Sequence, residues 1–343
     1  MTTLPTVHPE HRMLVDGKLV EADSGATFAN VNPATEDEIG RIADASTAEM
    51  QRAITAARRA FDETDWSTNH AFRRHCLEQL QEGLEAEREE LREQLIQEVG
   101  CPRMTTQSHQ LDVPLAGALR YPAKLIEEFG WEIAMTDAAG PTGEPNHRRV
   151  WKEPVGVVGA IVPWNFPFEV TLNKLGQALA TGNTVVLKPA PDTPWNATLI
   201  GRVAAERTDI PPGVLNVVTS SDHLVGEELT ISPLVDLISF TGSTAVGKRI
   251  MEKGAATMKR TFLELGGKSA NIILDDADFD SALLSGLAVC FHAGQGCAIP
   301  TRMLLPRSRC VDEISGPIIT SGRCGSPYGA IGKMALSFST PSS

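Results

Sequence analysis

Gly156-Val-Val-Gly-Ala-Ile-Val162 and Thr184-Val-Val-Leu187 are short, almost wholly apolar runs rich in β-branched residues. Between them, Phe168 to Ala180 carries apolar residues at helical spacing. The same texture continues downstream, with a helical stretch across Pro194 to Arg207 and further apolar runs at Val214 to Thr219 and Leu237 to Phe240. A strand covered on both faces reads as a continuous apolar run, and a parallel neighbour needs a long crossover, usually helical. The alternation therefore predicts βαβ units and an α/β fold built on a parallel sheet.

In open parallel sheets a ligand lies beyond the carboxyl ends of the strands, so the residues after each run are the candidates. They are Pro163-Trp164-Asn165, Lys188-Pro189 and Thr241-Gly242-Ser243, all expected along one crevice. The third set belongs to Phe240-Thr-Gly-Ser-Thr-Ala-Val-Gly247, which puts small residues between a strand end and a helix start. Free backbone N–H groups and the helix dipole favour a phosphate there. The run is not G-x-G-x-x-G, and a Gly- and Ser-rich turn of this kind is often only a turn.

Upstream, Leu14 to Val20 reads as a strand and turn around Asp16-Gly17, and Val31-Asn32-Pro33-Ala34-Thr35 reads as a second turn, together a small β arm. Ser46-Thr-Ala-Glu49 has capping-box spacing, and Met50, Ile54, Ala57 and Phe61 follow on one helical face. Cys76, Leu77, Leu80, Leu84, Leu91 and Leu95 predict one long amphipathic helix from about His70 to Val99, ended by Gly100 and Pro102. Its charge run, Glu85 to Glu93, reads as a solvated face. A further helix is expected over Leu111 to Phe129, and Asp137 to His147, before Arg149-Val150-Trp151, has the composition of a protruding hairpin.

With 343 residues, 42% hydrophobic and 22% charged, the chain has the composition of a globular protein with more than one domain. A net charge of -12, with no stripe of Lys and Arg, argues against a nucleic-acid partner. The longest strongly apolar run, Val155 to Val162, is far too short to cross a bilayer. The opening Met-Thr-Thr-Leu-Pro-Thr-Val-His lacks the pattern of a secretory signal, so a cytoplasmic location is expected by default. Cys76, Cys101, Cys290, Cys297, Cys310 and Cys324 include no C-x-x-C pair, and neither disulfides nor a metal site is expected.

Pro163-Trp-Asn-Phe-Pro167, Lys188-Pro-Ala-Pro191, Phe240 to Gly247, Leu263-Glu-Leu-Gly-Gly-Lys268 and Gly294-Gln-Gly-Cys297 form a set, and the set resembles the aldehyde dehydrogenase superfamily in order and approximate spacing up to about Arg309. The resemblance implies an aldehyde-dehydrogenase-like α/β fold, with a parallel-sheet dinucleotide-binding domain, a second, incomplete α/β catalytic domain and a protruding β-hairpin. Carried over residue by residue, it implies Cys297 as nucleophile, Glu264 as general base and Asn165 as oxyanion donor. It implies cofactor contacts from Pro163, Trp164, Lys188, Gly242, Ser243 and Leu265. The residue types suit the chemistry: a thiolate adds to a carbonyl near neutral pH where a hydroxyl needs strong activation, the oxyanion needs donors in place, and hydrolysing the thioester needs a base for water. Cys290 and His292 are read as packing residues.

The expected organisation is an N-terminal arm and helices over 1–129, an oligomerisation-type hairpin over 130–151, a dinucleotide-binding domain over 152–261, a partial catalytic domain over 262–309 and a tail outside the family pattern over 310–343. The resemblance stops near residue 309, as a truncation or frame change would make it. Poor folding of the catalytic piece, little turnover and doubtful oligomer assembly are then expected. The implied activity is NAD(P)-dependent oxidation of a small-molecule aldehyde to a carboxylic acid. The rival is a remnant that at most binds the dinucleotide. A third reading, release of the thioester to another thiol as an acyl-CoA, is disfavoured by Glu264, which suits water as acceptor. NAD is slightly favoured over NADP, because Asp192 would pair with a ribose hydroxyl if it turned inward.

Overall fold

The computed structural model describes residue 7 and residues 9–306, so the expected tail over 310–343 lies outside the described residues. Met13–Val15 (β1) and Lys18–Val20 (β2) form a hairpin whose turn, Asp16-Gly17, has φ of +52° and +73°. Positive φ at both turn residues matches the right-handed twist of the flanking strands. Thr27–Val31 and Glu38–Ala43 pair antiparallel beside it. Thr47–Glu63 (α1) opens with the capping box that Ser46 and Glu49 encode, and it buries Met50, Ile54 and Ala57.

The long amphipathic stretch divides into His70–Ala86 (α2) and Arg88–Val99 (α3), with the break at Glu87. Glu87 is held by Arg202 at 3.4 Å and by Arg207, so the break occurs where the chain is anchored to a later helix. Leu77, Leu80 and Leu84 before the break and Leu91 and Leu95 after it are all fully buried. The helix expected over 111–129 likewise divides, into Asp112–Gly117 and Arg120–Glu128 (α4).

The solvated face expected over 85–93 is overturned in α3, where Arg92 and Glu93 are each only 7% exposed. Residues 103–112 fold over them: Arg92 reaches Asp112 at 3.0 Å and Thr106 at 2.8 Å, and Glu93 pairs with Arg103. Charge is buried here because each group finds a partner within the fold.

Beyond the exposed ribbon of Glu132–Ala134 with Arg149–Trp151 and Ala138–Ala139 with Pro145–Asn146, the chain enters its main layers. Val157–Ile161 (β3), Pro167–Ala180 (α5), Thr184–Lys188 (β4), Trp195–Arg207 (α6), Leu215–Val217 (β5), His223–Ile231 (α7), Leu237–Gly242 (β6), Thr244–Gly254 (α8) and Arg260–Leu265 (β7) follow in strict alternation. Among the described residues seven strands form one sheet in the order β7-β6-β3-β4-β5-β1-β2. β6, β3, β4 and β5 run parallel, with Val158 paired to both Val185 and Leu237. β4 is buried along its whole length and β3 all but its last residue, which requires helices on both faces.

Glu98 ties three of these elements together. Its carboxylate accepts from the main chain of Trp195 at 2.9 Å and of Asn196 at 3.2 Å, and from the side chains of Asn196 at 3.1 Å and Asn30 at 3.2 Å. Burial pushes it up to about 7, against the pull of those hydrogen bonds. Because its folded-state value lies above the ordinary 4.5, its contribution is fully present below about pH 4.5 and is lost as pH rises through about 7. Thermal denaturation at a series of pH values is expected to show that loss in the wild type and not in Glu98→Gln. Parallel pH profiles for the two proteins would refute it.

The described residues divide into two compact units, the division falling between Glu264 and Leu265 at the end of β7. In the second unit Ser269–Ile272 pairs parallel with Pro300–Leu304. Helix Phe279–Leu284 and the 3₁₀ segment Ser285–Gly294 lie between those strands in the chain, and Ile273, Phe279 and Met303 form a small core. Among the described residues no helix is long and apolar enough to cross a membrane.

Candidate active site

From β3 the chain moves to β4 and β5 on one side, then returns to place β6 on the other side of β3. The strand order thus reverses between β3 and β6, which is where an open α/β sheet leaves a crevice at its carboxyl edge. Pro163-Trp164-Asn165 follows β3, Lys188 closes β4, and Gly242 closes β6 with Ser243 directly after it. Pro163 and Asn165 are half-buried, while Trp164 is exposed. The Asn165 main-chain carbonyl accepts from Gln110 Nε2 at 2.8 Å, which fixes the loop from the side of the helical layer.

Ser243 caps α8, its Oγ accepting from the Val246 N–H at 3.3 Å. Thr244 and Ala245, in the first turn of α8, are exposed, so the positive end of the helix dipole is open to an anion. Gly242 is required by packing: a Cβ there would lie 2.5 Å from Cζ of Phe240.

Lys188 is 6% exposed, and its Nζ donates to the carbonyls of Pro189 and Ser220, each at 3.2 Å. Burial pushes the ammonium down to about 8, against the attraction of Asp44, Asp222 and Asp192. Gly226 of α7 lets the helix lie on the lysine stem, since a Cβ would fall 2.9 Å from Lys188 Cδ. An ammonium has three donors, and two have acceptors here among the described residues. Because Lys188 holds its charge only below about pH 8, affinity for an anionic or hydroxyl-bearing ligand is expected to weaken as pH rises through that value. Lys188→Ala is expected to cost about ten- to a hundredfold in dinucleotide affinity by titration calorimetry, the scale of a charge-assisted hydrogen bond. Unchanged affinity would place the ligand elsewhere.

Sequence reasoning missed Lys174. It lies in the middle of α5, only 8% exposed, with Nζ donating to Ser239 Oγ at 2.9 Å and standing 5.6 Å from the Phe262 ring centroid. Burial pushes it down to about 8, opposed by the charge of Glu264. Phe262 and Glu264 alternate along β7, so they share a strand face. A lysine amid Phe168, Leu172, Leu175 and Leu179 was the available signal. Glu264 is exposed at the end of that strand.

Leu265 and Cys297 belong to the second unit. Cys297 stands in the turn closed by Ile299 N–H donating to the Gly296 carbonyl at 3.4 Å, just before strand Pro300–Leu304, and its residue is exposed. The approach to it is unusual, because His292 and Ala293 have φ of +48° and +54° ahead of Gly294. Cys290 is exposed rather than packed, which corrects its expected role. Cys76 and Cys101 are buried, with their thiols pushed up to about 12 and about 11 by burial. Among the described residues no cluster of three or more His, Cys, Asp or Glu is arranged to hold a metal ion.

A dinucleotide would bring a diphosphate and two riboses to this crevice. The open N-terminus of α8 suits the diphosphate, and the Lys188 ammonium with its neighbouring carboxylates suits ribose hydroxyls. The donor set fits.

Fold and strand-end residues together define a doubly wound α/β domain with its ligand crevice at a strand-order switch. A family model described as the aldehyde dehydrogenase family matches residues 19–317, past the point at 309 where the quoted motifs end. The chain belongs to that family. It is 39% identical over 307 residues to a 3-succinoylsemialdehyde-pyridine dehydrogenase of a Pseudomonas species, covering 88% of this chain and 60% of that protein. It is 38% identical over 304 residues to the NADP/NAD-dependent aldehyde dehydrogenase PuuC of Escherichia coli, covering 87% of this chain and 60% of the relative. Among solved structures, aldehyde dehydrogenase C of Pseudomonas syringae in complex with NAD+ and octanal aligns with a TM-score of 0.80 and 32% identity, over 88% of this chain and 60% of that one. The chain thus spans about 60% of the length of these relatives.

Proposed function

We propose that this protein oxidises a small-molecule aldehyde to a carboxylic acid with NAD or NADP, through a thiohemiacetal and then a thioester on Cys297. The observation that carries the proposal is the arrival of Asn165, Lys188 and Gly242-Ser243 at the carboxyl ends of three adjacent parallel strands, in a chain of the aldehyde dehydrogenase family. The E. coli relative is named for use of NADP or NAD, and the P. syringae structure contains NAD+ and octanal, which supports the same chemistry here.

In this reading Lys188 and Ser243, with Pro163, Trp164, Gly242 and Leu265, hold the dinucleotide, whose nicotinamide when bound takes up hydride. The Cys297 thiolate adds to the aldehyde carbon, and the carbonyl oxygen becomes an oxyanion. The Asn165 amide and the Cys297 main-chain N–H donate to that oxyanion, each such donor contributing roughly 3 kcal/mol. Glu264 then takes a proton from the water that hydrolyses the thioester. The free thiols at Cys76, Cys101, Cys290 and Cys297 suit a reducing, cytoplasmic setting. The exposed apolar ribbon carrying Ile133, Met135, Val150 and Trp151 supports assembly with further copies.

The test is reduction of NAD+ or NADP+ by the purified chain with a panel of aldehydes. Cofactor reduction with at least one aldehyde is expected. A flat trace accompanied by dinucleotide binding would overturn the activity and favour a binding protein.

A further inference from the structure

We propose that the crevice selects against a 2′-phosphate, so that this chain takes NAD rather than NADP, and that Asp222 and Asp44 impose the choice. The inference rests on the dinucleotide reading given above.

In a doubly wound sheet the adenosine ribose lies at the end of the second strand of the first βαβ unit, where an acidic side chain accepts from its 2′-hydroxyl or an arginine receives a 2′-phosphate. The corresponding strand here is β4, and Lys188 closes it. Around Lys188 the loop from β5 to α7 is built to present carboxylates. Ser220 uses its carbonyl to accept from Lys188 Nζ at 3.2 Å, and its Oγ donates to the Ala45 carbonyl at 2.8 Å with Asp44 Oδ1 3.1 Å away. Ser221 donates to Asp44 from its main chain at 2.8 Å and from its hydroxyl at 2.7 Å. Two hydrogen bonds from Ser221 therefore hold the Asp44 carboxylate beside the residue whose carbonyl accepts from the lysine.

Asp222 comes next and caps α7, with Oδ1 accepting from the Leu224 N–H at 2.8 Å. Gly226, one turn further along, brings that helix onto the Lys188 stem, so Asp222 and Lys188 lie at one corner of the crevice. Asp44, Asp222 and Asp192 all act on the lysine charge, and among the described residues no arginine does. Asp192 is exposed and follows β4, whereas Asp44 and Asp222 are held by hydrogen bonds from the loop itself. A ribose hydroxyl gains acceptors in this setting. A dianionic phosphate meets a net negative cluster in which Lys188 is already shared with two carbonyls and the His223 ring stands 3.8 Å from Asp222.

The experiment is isothermal titration calorimetry of the purified chain with NAD+ and, separately, NADP+. NAD+ is expected to bind at least about tenfold more tightly, the scale of a carboxylate–phosphate repulsion across a partly solvated site. Asp222→Asn removes the charge and keeps a competent helix cap. It should close the gap about fivefold or more, through tighter NADP+ binding. Asp44→Asn retains an acceptor for the Ser221 N–H and should act in the same direction. Glu63→Gln, the same charge change at the exposed end of α1, should leave the ratio unaltered. NADP+ binding as tightly as NAD+ to the wild type would overturn the selectivity while leaving the dinucleotide reading intact. An unchanged ratio in both aspartate variants would overturn the assignment of residues. Binding of neither dinucleotide would overturn both the selectivity and the reading on which it rests.

Discussion

Cys297→Ala is expected to lower aldehyde-dependent cofactor reduction by a factor of at least about a thousand and to leave dinucleotide affinity within about twofold, the largest effect expected in the molecule. The size follows from the chemistry. Without a covalent adduct the aldehyde carbon stays trigonal and no oxyanion is present to expel its hydrogen as hydride, so the loss removes a step rather than slowing it. Thiol labelling gives an independent readout. Burial pushes Cys76 up to about 12 and Cys101 up to about 11, so both resist alkylation near neutral pH, whereas Cys290 and Cys297 are exposed. Aldehyde together with dinucleotide should protect the Cys297 peptide from an alkylating reagent, as read by mass spectrometry, and leave the Cys290 peptide labelled. Protection of Cys290 instead, or full activity in Cys297→Ala, would remove Cys297 from the mechanism.

The alternation of apolar runs and helical stretches made the parallel sheet legible, because burial on both faces leaves β3 and β4 no polar positions to alternate. The capping box at Ser46 and Glu49 was legible for a local reason: both partners lie within four residues of each other. The break at Glu87 was not, since its cause is Arg202 and Arg207 on a helix more than a hundred residues later. The buried charges of α3 escaped for the same reason. A run of Glu and Arg looks solvated unless the segment that covers it, here 103–112, is known to return.

The candidate site divides along similar lines. Asn165, Lys188 and Ser243 were legible as candidates because each lies at a strand's carboxyl end or within four residues of it, and strand ends converge by the geometry of the fold. Lys174 was missed because its partners, Ser239 and Phe262, come from two later strands. Asp44 and Asp222 were missed because the first sits in the N-terminal arm and the second reads as a routine helix cap. Their meaning depends on Ser220 and Ser221 linking them to Lys188, a relation with no sequence period.

Glu264→Gln is expected to separate the two halves of the reaction. The first half needs only the thiol, the oxyanion donors and the dinucleotide, so a single equivalent of reduced cofactor should still form. The second half needs a base for water, and a carboxamide cannot accept that proton, so turnover should fall by about a hundredfold or more, at the low end of general-base effects. Glu264 is exposed at the last residue but one of β7, shortly before Gly266 and Gly267, where a Cβ would meet nothing within 4 Å. A carboxylate placed there is free to approach a water, and the neighbouring charge of Lys174 is coupled to it. Quenched-flow traces should therefore show a burst followed by a slow phase, with an acyl adduct persisting on the Cys297 peptide in intact-mass analysis. Hydroxylamine, which attacks thioesters without a base, should release the adduct and restore turnover. If instead the wild type shows the same burst and slow phase as Glu264→Gln, and a coenzyme A thiol relieves it in both, water is not the acceptor and Glu264 is not its base. If the variant turns over at the wild-type rate, the same conclusion holds for the base, and the residue's place at the end of β7 is structural.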